Sequence, residues 1–283
     1  TAFVFRELME AGLMHADLQT VAEGGMAQYG QEPALRDGTL AYVDGLRESA
    51  DADVVRGVAD PFEAQGGLRL LRGNMGRSLI KLSAVKPQFR TIEAPAVVVD
   101  APQVLNKLHA AGVLPHDFVA VVRFQGPRAN GMPELHSLAP LLGLLQNQGR
   151  RVALVTDGRL SGASGKIPAA IHLTPEAARG GPLAKLREGD IIRLDAEAGT
   201  LEALVDADEW AAREIAPNTS PAALDLGRNL FAVSRDVVTP ADRGAMSISC
   251  GLPYHDGTWE YDAEYELGDA AHAAEAPHEA KDA

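Results

Sequence analysis

The chain has 283 residues, enough to bury a sizeable core in one or two domains. Its 39 acidic and 26 basic side chains give a formal net charge of −13. This balance argues against nonspecific nucleic-acid binding and against association with an anionic membrane surface. No apolar run approaches the roughly 18 residues that a membrane-spanning helix needs. We therefore expect neither a nucleic acid nor a membrane as a partner.

A single cysteine, Cys250, rules out an internal disulfide framework and a zinc site built from cysteines. The first residues have no basic segment of the kind that opens a secretory signal. A cytoplasmic protein is the simplest account of both features. Because the chain begins at Thr1, inside an amphipathic pattern and without a methionine, we expect it to be a fragment.

Residues 1–12 have the spacing of an amphipathic helix, in which charged side chains separate the apolar Phe3, Leu8 and Met9. Gly12 is a helix terminator. The sequence that follows, up to about residue 49, is polar and shows little periodicity.

A domain boundary is predicted within residues 60–67, where Pro61 and paired glycines occur. The prediction is a short N-terminal segment, 1–60, followed by a main domain, 61–246. The remaining residues, 247–283, are acidic and rich in alanine, and we expect most of them to be disordered.

Strand and helix patterns alternate through the first half of the main domain. An alternating strand is predicted over 78–82 and a buried strand over 96–99. A helix over 102–111 and a strand over 118–124 follow. This alternation indicates a mixed α/β fold.

A second helix is predicted to begin at Glu134, directly after Pro133. Proline in the first turn and an acidic residue beside it make a good helix start, worth about 0.3–1 kcal/mol through the helix dipole. One face of this helix is apolar and is formed by Leu135, Leu138, Leu141, Leu142 and Leu145.

A short apolar strand over 151–155 leads into a loop with three glycines and several polar side chains. The glycines are Gly158, Gly162 and Gly165, and the polar residues between and after them are Arg159, Ser161, Ser164 and Lys166. Glycines let the backbone approach a ligand and direct N–H groups at it. Two hydroxyls and two cations in one loop suit an anionic, hydroxylated substrate.

Common motifs do not fit this loop. A phosphate-binding P-loop would need glycine at Leu160 and a hydroxyl residue at Ile167. A nucleophile elbow around Ser164 would need glycine at Lys166, and the dinucleotide fingerprint fails on its glycine spacing. A plain Gly/Ser-rich connection between strands is the alternative interpretation.

The last predicted elements are strands over 191–194 and 201–205 and a short helix over 206–213. Asp206 or Asp208 is expected to cap that helix.

The string Thr-Asp-Gly-Arg-Leu-Ser-Gly, beginning at Thr156, resembles the dihydroxy-acid and sugar-acid dehydratase family. The continuation Ser-Gly-Lys-Ile-Pro-Ala-Ala-Ile-His, ending at His172, is most similar to the 6-phosphogluconate dehydratase branch of that family. The strings Gly-Pro and Gly-Met-Pro-Glu, the second ending at Glu134, resemble another family motif. The resemblance covers about residues 3–248 and implies a β-barrel-like main domain.

This resemblance implies a reaction in which a 2,3-dihydroxy acid loses its C2 proton and its C3 hydroxyl as water. It implies that Ser161 is the base, acting as an alkoxide, which requires nearby positive charge and N–H groups to lower the pKa of the hydroxyl. It also implies an iron–sulfur cluster, 4Fe–4S by expectation, with Mg²⁺ as a further candidate metal. The alternative for Ser161 is a turn serine bonded to its own backbone.

The resemblance places Glu134 near the metal, whereas helix capping is its alternative role. The candidate substrate-binding residues share the loop and are Arg159, Ser164, Gly165 and Lys166. Of these, Gly165 and Lys166 suit a phosphate, although each loop residue could also be merely solvated. We expect His172 to be structural.

The fold expected is therefore mixed α/β, with a C-terminal β-barrel-like domain, flanking helices and a preceding helical remnant of an N-terminal domain. The function expected is that of the C-terminal part of a homodimeric enzyme that dehydrates 6-phosphogluconate to 2-keto-3-deoxy-6-phosphogluconate. The alternatives are a dihydroxy-acid or unphosphorylated sugar-acid dehydratase, or a non-catalytic phosphosugar-binding module. Because the resemblance places the cluster cysteines in the missing N-terminal domain, the isolated chain is expected to be inactive.

Overall fold

The computed structural model describes residues 1–64, 66–161, 165–219 and 230–247. Its strands are β1 (Gln31–Arg36), β2 (Thr39–Asp44), β3 (Leu68–Gly73), β4 (Gly76–Lys81), β5 (Thr91–Val99), β6 (Phe118–Val122), β7 (Val152–Thr156), β8 (Ala169–Thr174), β9 (Ile191–Asp195) and β10 (Thr200–Ala203). Its α-helices are α1 (Ala2–Glu10), α2 (Pro102–Ala110), α3 (Pro127–Asn130), α4 (Ala139–Asn147), α5 (Ala207–Ala212) and α6 (Ala232–Val237). Short 3-10 helices cover Gly25–Gly30, Pro87–Phe89, His136–Leu138, Ala177–Arg179, Pro182–Lys185 and Ala241–Arg243.

Eight of the strands close into a barrel in the order β10-β3-β4-β8-β7-β6-β5-β9. Strands β5, β6, β7 and β8 are parallel neighbours, whereas β8 pairs antiparallel with β4 and β5 pairs antiparallel with β9. Both faces of β6 and β7 are covered, which explains why their residues are apolar almost without interruption. The carboxyl ends of the parallel strands therefore meet at one rim of the barrel.

Two apolar layers lie on the two faces of the barrel wall. The interior layer alternates along the strands and includes Ile80 on β4, Val121 on β6 and Val155 on β7. The outer layer packs the intervening residues of β5 to β8 against α2 and α4. The five leucines predicted to share one face, Leu135, Leu138, Leu141, Leu142 and Leu145, are all buried in this outer layer.

The barrel closes between β3 and β10, where one residue pair is in parallel register. The side chain of Asn74 supplements this short contact. Its amide nitrogen donates to the carbonyl of Ala203 at 2.8 Å, and its oxygen accepts from the Ala203 N–H at 2.9 Å. A side chain thus supplies two hydrogen bonds that a longer strand would make with its backbone.

The N-terminal segment contains α1, a 3-10 helix and the hairpin formed by β1 and β2. The rings of Phe5 and Tyr29 stack with their centroids 5.5 Å apart. The helix predicted at the start of the chain is therefore present. That it is a remnant of an N-terminal domain stays a prediction, as do the proposed domain limits.

The mixed α/β class and the barrel are confirmed, and so are the later strands and the capped helix. The Asp206 carboxylate accepts from the N–H groups of Asp208 and Glu209, at 3.0 and 3.1 Å, and so caps α5. The sequence did not predict β1, β2, β3 or β8. The tail beyond residue 247 lies outside the described residues.

The predicted helix start at Glu134 is wrong. Helix α4 begins at Ala139, after the 3-10 helix that starts at His136. Glu134 instead forms an isolated parallel bridge with Arg159. This backbone pairing with a residue distant in sequence overrides the local helix signal of Pro133.

No helix in the described part of the chain is both long and apolar enough to cross a membrane.

Candidate active site

The connection from β7 to β8 crosses the outer face of the barrel, and its described residues form no helix. The connection is anchored at both ends by backbone hydrogen bonds. Near its start, the carbonyl of Gly158 accepts from the His172 N–H at 2.9 Å, and at its end the carbonyl of Pro168 accepts from the Leu154 N–H at 3.0 Å. The polar loop identified in the sequence is thus held against β7 and β8.

The Glu134 carboxylate joins this connection to the loop that precedes α4. Its Oε1 accepts from the backbone N–H of Ser161 at 2.7 Å, and its Oε2 accepts from Nη1 of Arg159 at 3.1 Å. The Arg159 guanidinium also donates through Nε to the carbonyl of Met132 at 2.7 Å. The carboxylate therefore fixes both the backbone of Ser161 and the side chain of Arg159.

Ser161 lines a small cavity between the crossing loop and the outer faces of β3, β4 and β8. The cavity has a volume of about 120 Å³ and is lined by Leu68, Lys81, Leu160, Ser161, Gly165, Ile167, Ala169 and Ile171. Most of these side chains are apolar. Among the described residues of the lining, Ser161 contributes a hydroxyl and Lys81 an ammonium.

The structure separates the predicted loop residues. Ser161 and Gly165 line the cavity, whereas Arg159 lies beside it in the ion pair with Glu134. Lys166 is exposed and is not part of the lining, and its carbonyl accepts from Nε2 of Gln146 at 3.0 Å. Ser164 lies outside the described residues. The substrate-binding roles of these residues stay predictions.

Asp157 is fully buried at the carboxyl end of β7, beneath the loop. Its Oδ1 accepts from the Gln125 N–H at 2.8 Å and its Oδ2 from the Ala177 N–H at 2.9 Å. Burial raises the pKa of the Asp157 carboxyl to about 7, against the effect of the two N–H donors and with a smaller contribution from the nearby carboxylate of Glu176. One side chain thus connects the segments that follow β6, β7 and β8.

Glu176 is the second buried acid at this rim. It accepts from the N–H groups of Arg128, at 3.0 and 3.1 Å, and of Ala129, at 3.2 Å, and so holds the first turn of α3. Its Oε1 lies 3.4 Å from Nε of Arg179. Burial raises the pKa of the Glu176 carboxyl, and these N–H donors and the arginine oppose that shift. A Cβ at Gly126 would lie 2.3 Å from Glu176 Oε2, so this close packing requires glycine.

His172, on β8, has a left-handed backbone with φ of 55°. Its backbone N–H donates to the carbonyl of Gly158. Burial lowers the pKa of its imidazole, and the positive charge of Arg159 adds to this effect. Burial and the guanidinium of Arg159 both favour the neutral imidazole, and the structural role of His172 stays a prediction.

The family model of the dihydroxy-acid/6-phosphogluconate dehydratase C-terminal domain matches residues 53–245. The chain belongs to this family. A phosphogluconate dehydratase of Pseudomonas aeruginosa is 51% identical over 251 residues, which are 89% of this chain and 41% of that protein. A phosphogluconate dehydratase of Escherichia coli is 49% identical over 245 residues, which are 86% of this chain and 41% of that protein. A dihydroxy-acid dehydratase of Thermus thermophilus is 35% identical over 250 residues, which are 87% of this chain and 42% of that protein.

The chain therefore spans about 41% of the length of these phosphogluconate dehydratases.

The sequence analysis missed three residues of the site: Lys81, Asp157 and Glu176. The alternation along β4 placed Lys81 on the face opposite Ile80, but only the pairing of β4 with β8 brings that face to the loop. An acidic residue directly after a buried strand was the available signal for Asp157.

Among the residues that the structure describes, no group of three or more His, Cys, Asp or Glu side chains could hold a metal ion. A carboxylate offers about four lone-pair positions, and Glu134 uses two in the contacts above. The Glu134 carboxylate thus keeps lone pairs with which it could bind a metal ion. The described residues on their own do not fit an iron–sulfur cluster.

Replacing Glu134 should release the loop, to an extent that depends on which of its contacts is lost. We expect Glu134→Ala to raise the exchange rate of amide hydrogens around Ser161 by about tenfold, the equivalent of one hydrogen bond of about 1.4 kcal/mol. Glu134→Gln keeps an oxygen acceptor and should retain most of the protection. Hydrogen exchange read by mass spectrometry measures this, with the barrel strands as internal reference. Equal exchange in the Ala variant and the parent protein would contradict the bridging role.

The buried Asp157 predicts a pH dependence of stability. Its pKa rises from the usual 3.8 to about 7 on folding, so the folded state binds an extra proton between these values. The free energy of unfolding should then fall with rising pH by up to about 1.4 kcal/mol per unit below pH 7 and level off above it.

Thermal melting from pH 5 to 8, compared between the parent protein and Asp157→Asn, measures this contribution. The advantage of the parent should shrink as the pH rises to 7 and then stay constant. The exposed Asp208, changed to Asn, serves as the matched control. A difference between parent and Asp157→Asn that does not vary with pH would show that the carboxyl is ionised throughout.

Proposed function

We propose that this chain is the C-terminal part of a 6-phosphogluconate dehydratase, which forms 2-keto-3-deoxy-6-phosphogluconate. The observation that carries this proposal is the 51% identity, over 89% of the chain, with a protein named phosphogluconate dehydratase. The likeness to a dihydroxy-acid dehydratase is lower, at 35%. A substrate that is a branched dihydroxy acid or an unphosphorylated sugar acid is therefore the second choice.

The proposed reaction balances without an external oxidant or reductant. A base takes the C2 proton of the substrate, and the electron pair of the C2–H bond forms a C2–C3 double bond. The C3–O bond breaks, and the departing hydroxide takes up a proton and leaves as water. The resulting enol gains a proton at C3, loses the proton of its C2 hydroxyl and becomes the C2 ketone.

In this proposal Ser161 is the base, and its Oγ, present as an alkoxide, receives the C2 proton and becomes a hydroxyl. The supporting geometry is that Ser161 lines a mostly apolar cavity and that Glu134 holds its backbone N–H at 2.7 Å. Fixing the backbone limits the positions that the Ser161 side chain can take, and such a proton transfer depends on positioning. The guanidinium of Arg159 is paired with the same carboxylate, so that its charge is balanced by Glu134.

A metal group completes the proposal. An iron–sulfur cluster, 4Fe–4S by expectation, would supply the Lewis acid for the departing hydroxyl, and its ligands would come from outside the described residues. Glu134 is the carboxylate that this chain would direct toward a metal, whether that cluster or Mg²⁺.

The remaining parts of the proposal concern the whole protein. We place the phosphate of the substrate near Gly165 and Lys166, with Arg159 and Ser164 as further contacts. The complete enzyme would be a homodimer that contains an N-terminal domain. It would be cytoplasmic, since a phosphorylated sugar acid does not cross membranes unaided. The isolated chain, with one cysteine, would neither assemble a cluster nor turn over substrate.

Ser161→Ala, made in the full-length protein, should lower kcat on 6-phosphogluconate by about 100-fold or more, since it removes the base but little of the binding surface. KM should change little. Steady-state assay of keto-acid formation measures both constants, and Ser137→Ala, at an exposed serine, is the control. If Ser161→Ala keeps near-parental turnover, Ser161 is not the base.

A further inference from the structure

We propose that Lys81 is a substrate-binding residue of this site and that its ammonium binds the C1 carboxylate of the sugar acid beside Ser161. The proposal rests on the proposed function and deepens it. None of the residues predicted from the motif strings supplies a cation to the cavity that Ser161 lines.

The strand register places Lys81 there. On β4, Ile80 is fully buried in the barrel interior, so Lys81 belongs to the outer face. It pairs with Leu68 on β3, and the neighbouring outer residue, Leu79, pairs with Ile171 on β8. Leu68 and Ile171 also line the cavity, which confirms that this face of the sheet forms its floor.

The lining of the cavity favours an anion next to the lysine. Apart from Lys81, Ser161 and Gly165, the lining residues that the structure describes are Leu68, Leu160, Ile167, Ala169 and Ile171. An ammonium beside these apolar side chains is the group to which an anionic ligand at this site would bind. In a chain with a net charge of −13, a local cation is also what an anionic substrate requires.

The shared cavity favours the carboxylate over the phosphate. Lys81 and Ser161 both line this cavity of about 120 Å³, so within this proposal they contact neighbouring parts of one ligand. If Ser161 reaches C2, the C1 carboxylate is one bond away. The phosphate, on C6, is separated from C2 by four carbon–carbon bonds of about 1.5 Å each and by the ester oxygen.

The two lysines near Ser161 are therefore assigned different ends of the substrate. Lys81 lines the cavity, whereas Lys166 is exposed outside it, where the distal phosphate would emerge. An ammonium at the C1 carboxylate would also stabilise the charge that this group gains as the C2 proton leaves. Lys81 would then act on binding and on turnover, and Lys166 on binding of the phosphate.

In the full-length protein, two ligands distinguish binding of the carboxylate end of the substrate from binding of its phosphate end. Gluconate carries the carboxylate without a phosphate, and glucitol 6-phosphate carries the phosphate without a carboxylate. Titration calorimetry on the parent, Lys81→Met and Lys81→Arg gives the dissociation constants, and circular dichroism verifies folding. Lys86→Met, which removes an exposed lysine five residues away, is the matched control.

We expect Lys81→Met to weaken gluconate binding by about 10- to 100-fold, the range of a charge-assisted hydrogen bond. Glucitol 6-phosphate should bind within about twofold of the parent value, since it never meets Lys81. Lys81→Arg should recover part of the gluconate affinity, and Lys86→Met should match the parent. Should Lys81→Met not fold, Lys81→Gln replaces it with the same expectation.

Unchanged gluconate binding in Lys81→Met, or a loss confined to glucitol 6-phosphate, overturns the assignment. Equal losses on both ligands also overturn it, because they indicate a general disturbance of the site. Turnover of 6-phosphogluconate by the parent protein is measured separately. A parent that binds gluconate through Lys81 but forms no keto acid would refute the proposed function and leave the carboxylate site standing.

Discussion

The carboxylate of Glu134 is the contact on which the site depends. Its two oxygens hold the backbone of Ser161 and the guanidinium of Arg159, at 2.7 and 3.1 Å. Parallel strands are usually connected through a helix, whose own hydrogen bonds fix the path of the chain. The described residues between β7 and β8 form no such helix, so a side chain from another loop performs that function and brings Ser161 to the cavity.

Beneath this contact, two buried acids keep the rim of the barrel in place. Asp157 and Glu176 accept backbone N–H groups from the segments that follow β6 and β8. Buried carboxylates lose hydration, which is why the pKa of Asp157 rises to about 7. The buried acids hold the rim through backbone hydrogen bonds, and their burial makes the stability of the protein depend on pH.

The sequence predicted the parts of the fold that local patterns determine. The leucine face that begins at Leu135 is buried as expected, because periodicity reports burial even where the helix begins later. The helix start at Glu134 failed because the pairing with Arg159 spans 25 residues, which no local signal contains. Lys81 stood in a recognised strand, yet its place beside Ser161 follows from the register of β4 with β3 and β8. That register is a property of the closed barrel and not of either segment.

The most direct test of the account is the structure of the full-length protein with gluconate bound. We expect C2 to lie about 3–3.5 Å from Oγ of Ser161. We also expect a carboxylate oxygen about 2.8 Å from Nζ of Lys81. Gluconate bound away from the cavity, or with its C6 end against Lys81, would contradict the central claim that this cavity receives the reacting end of the sugar acid.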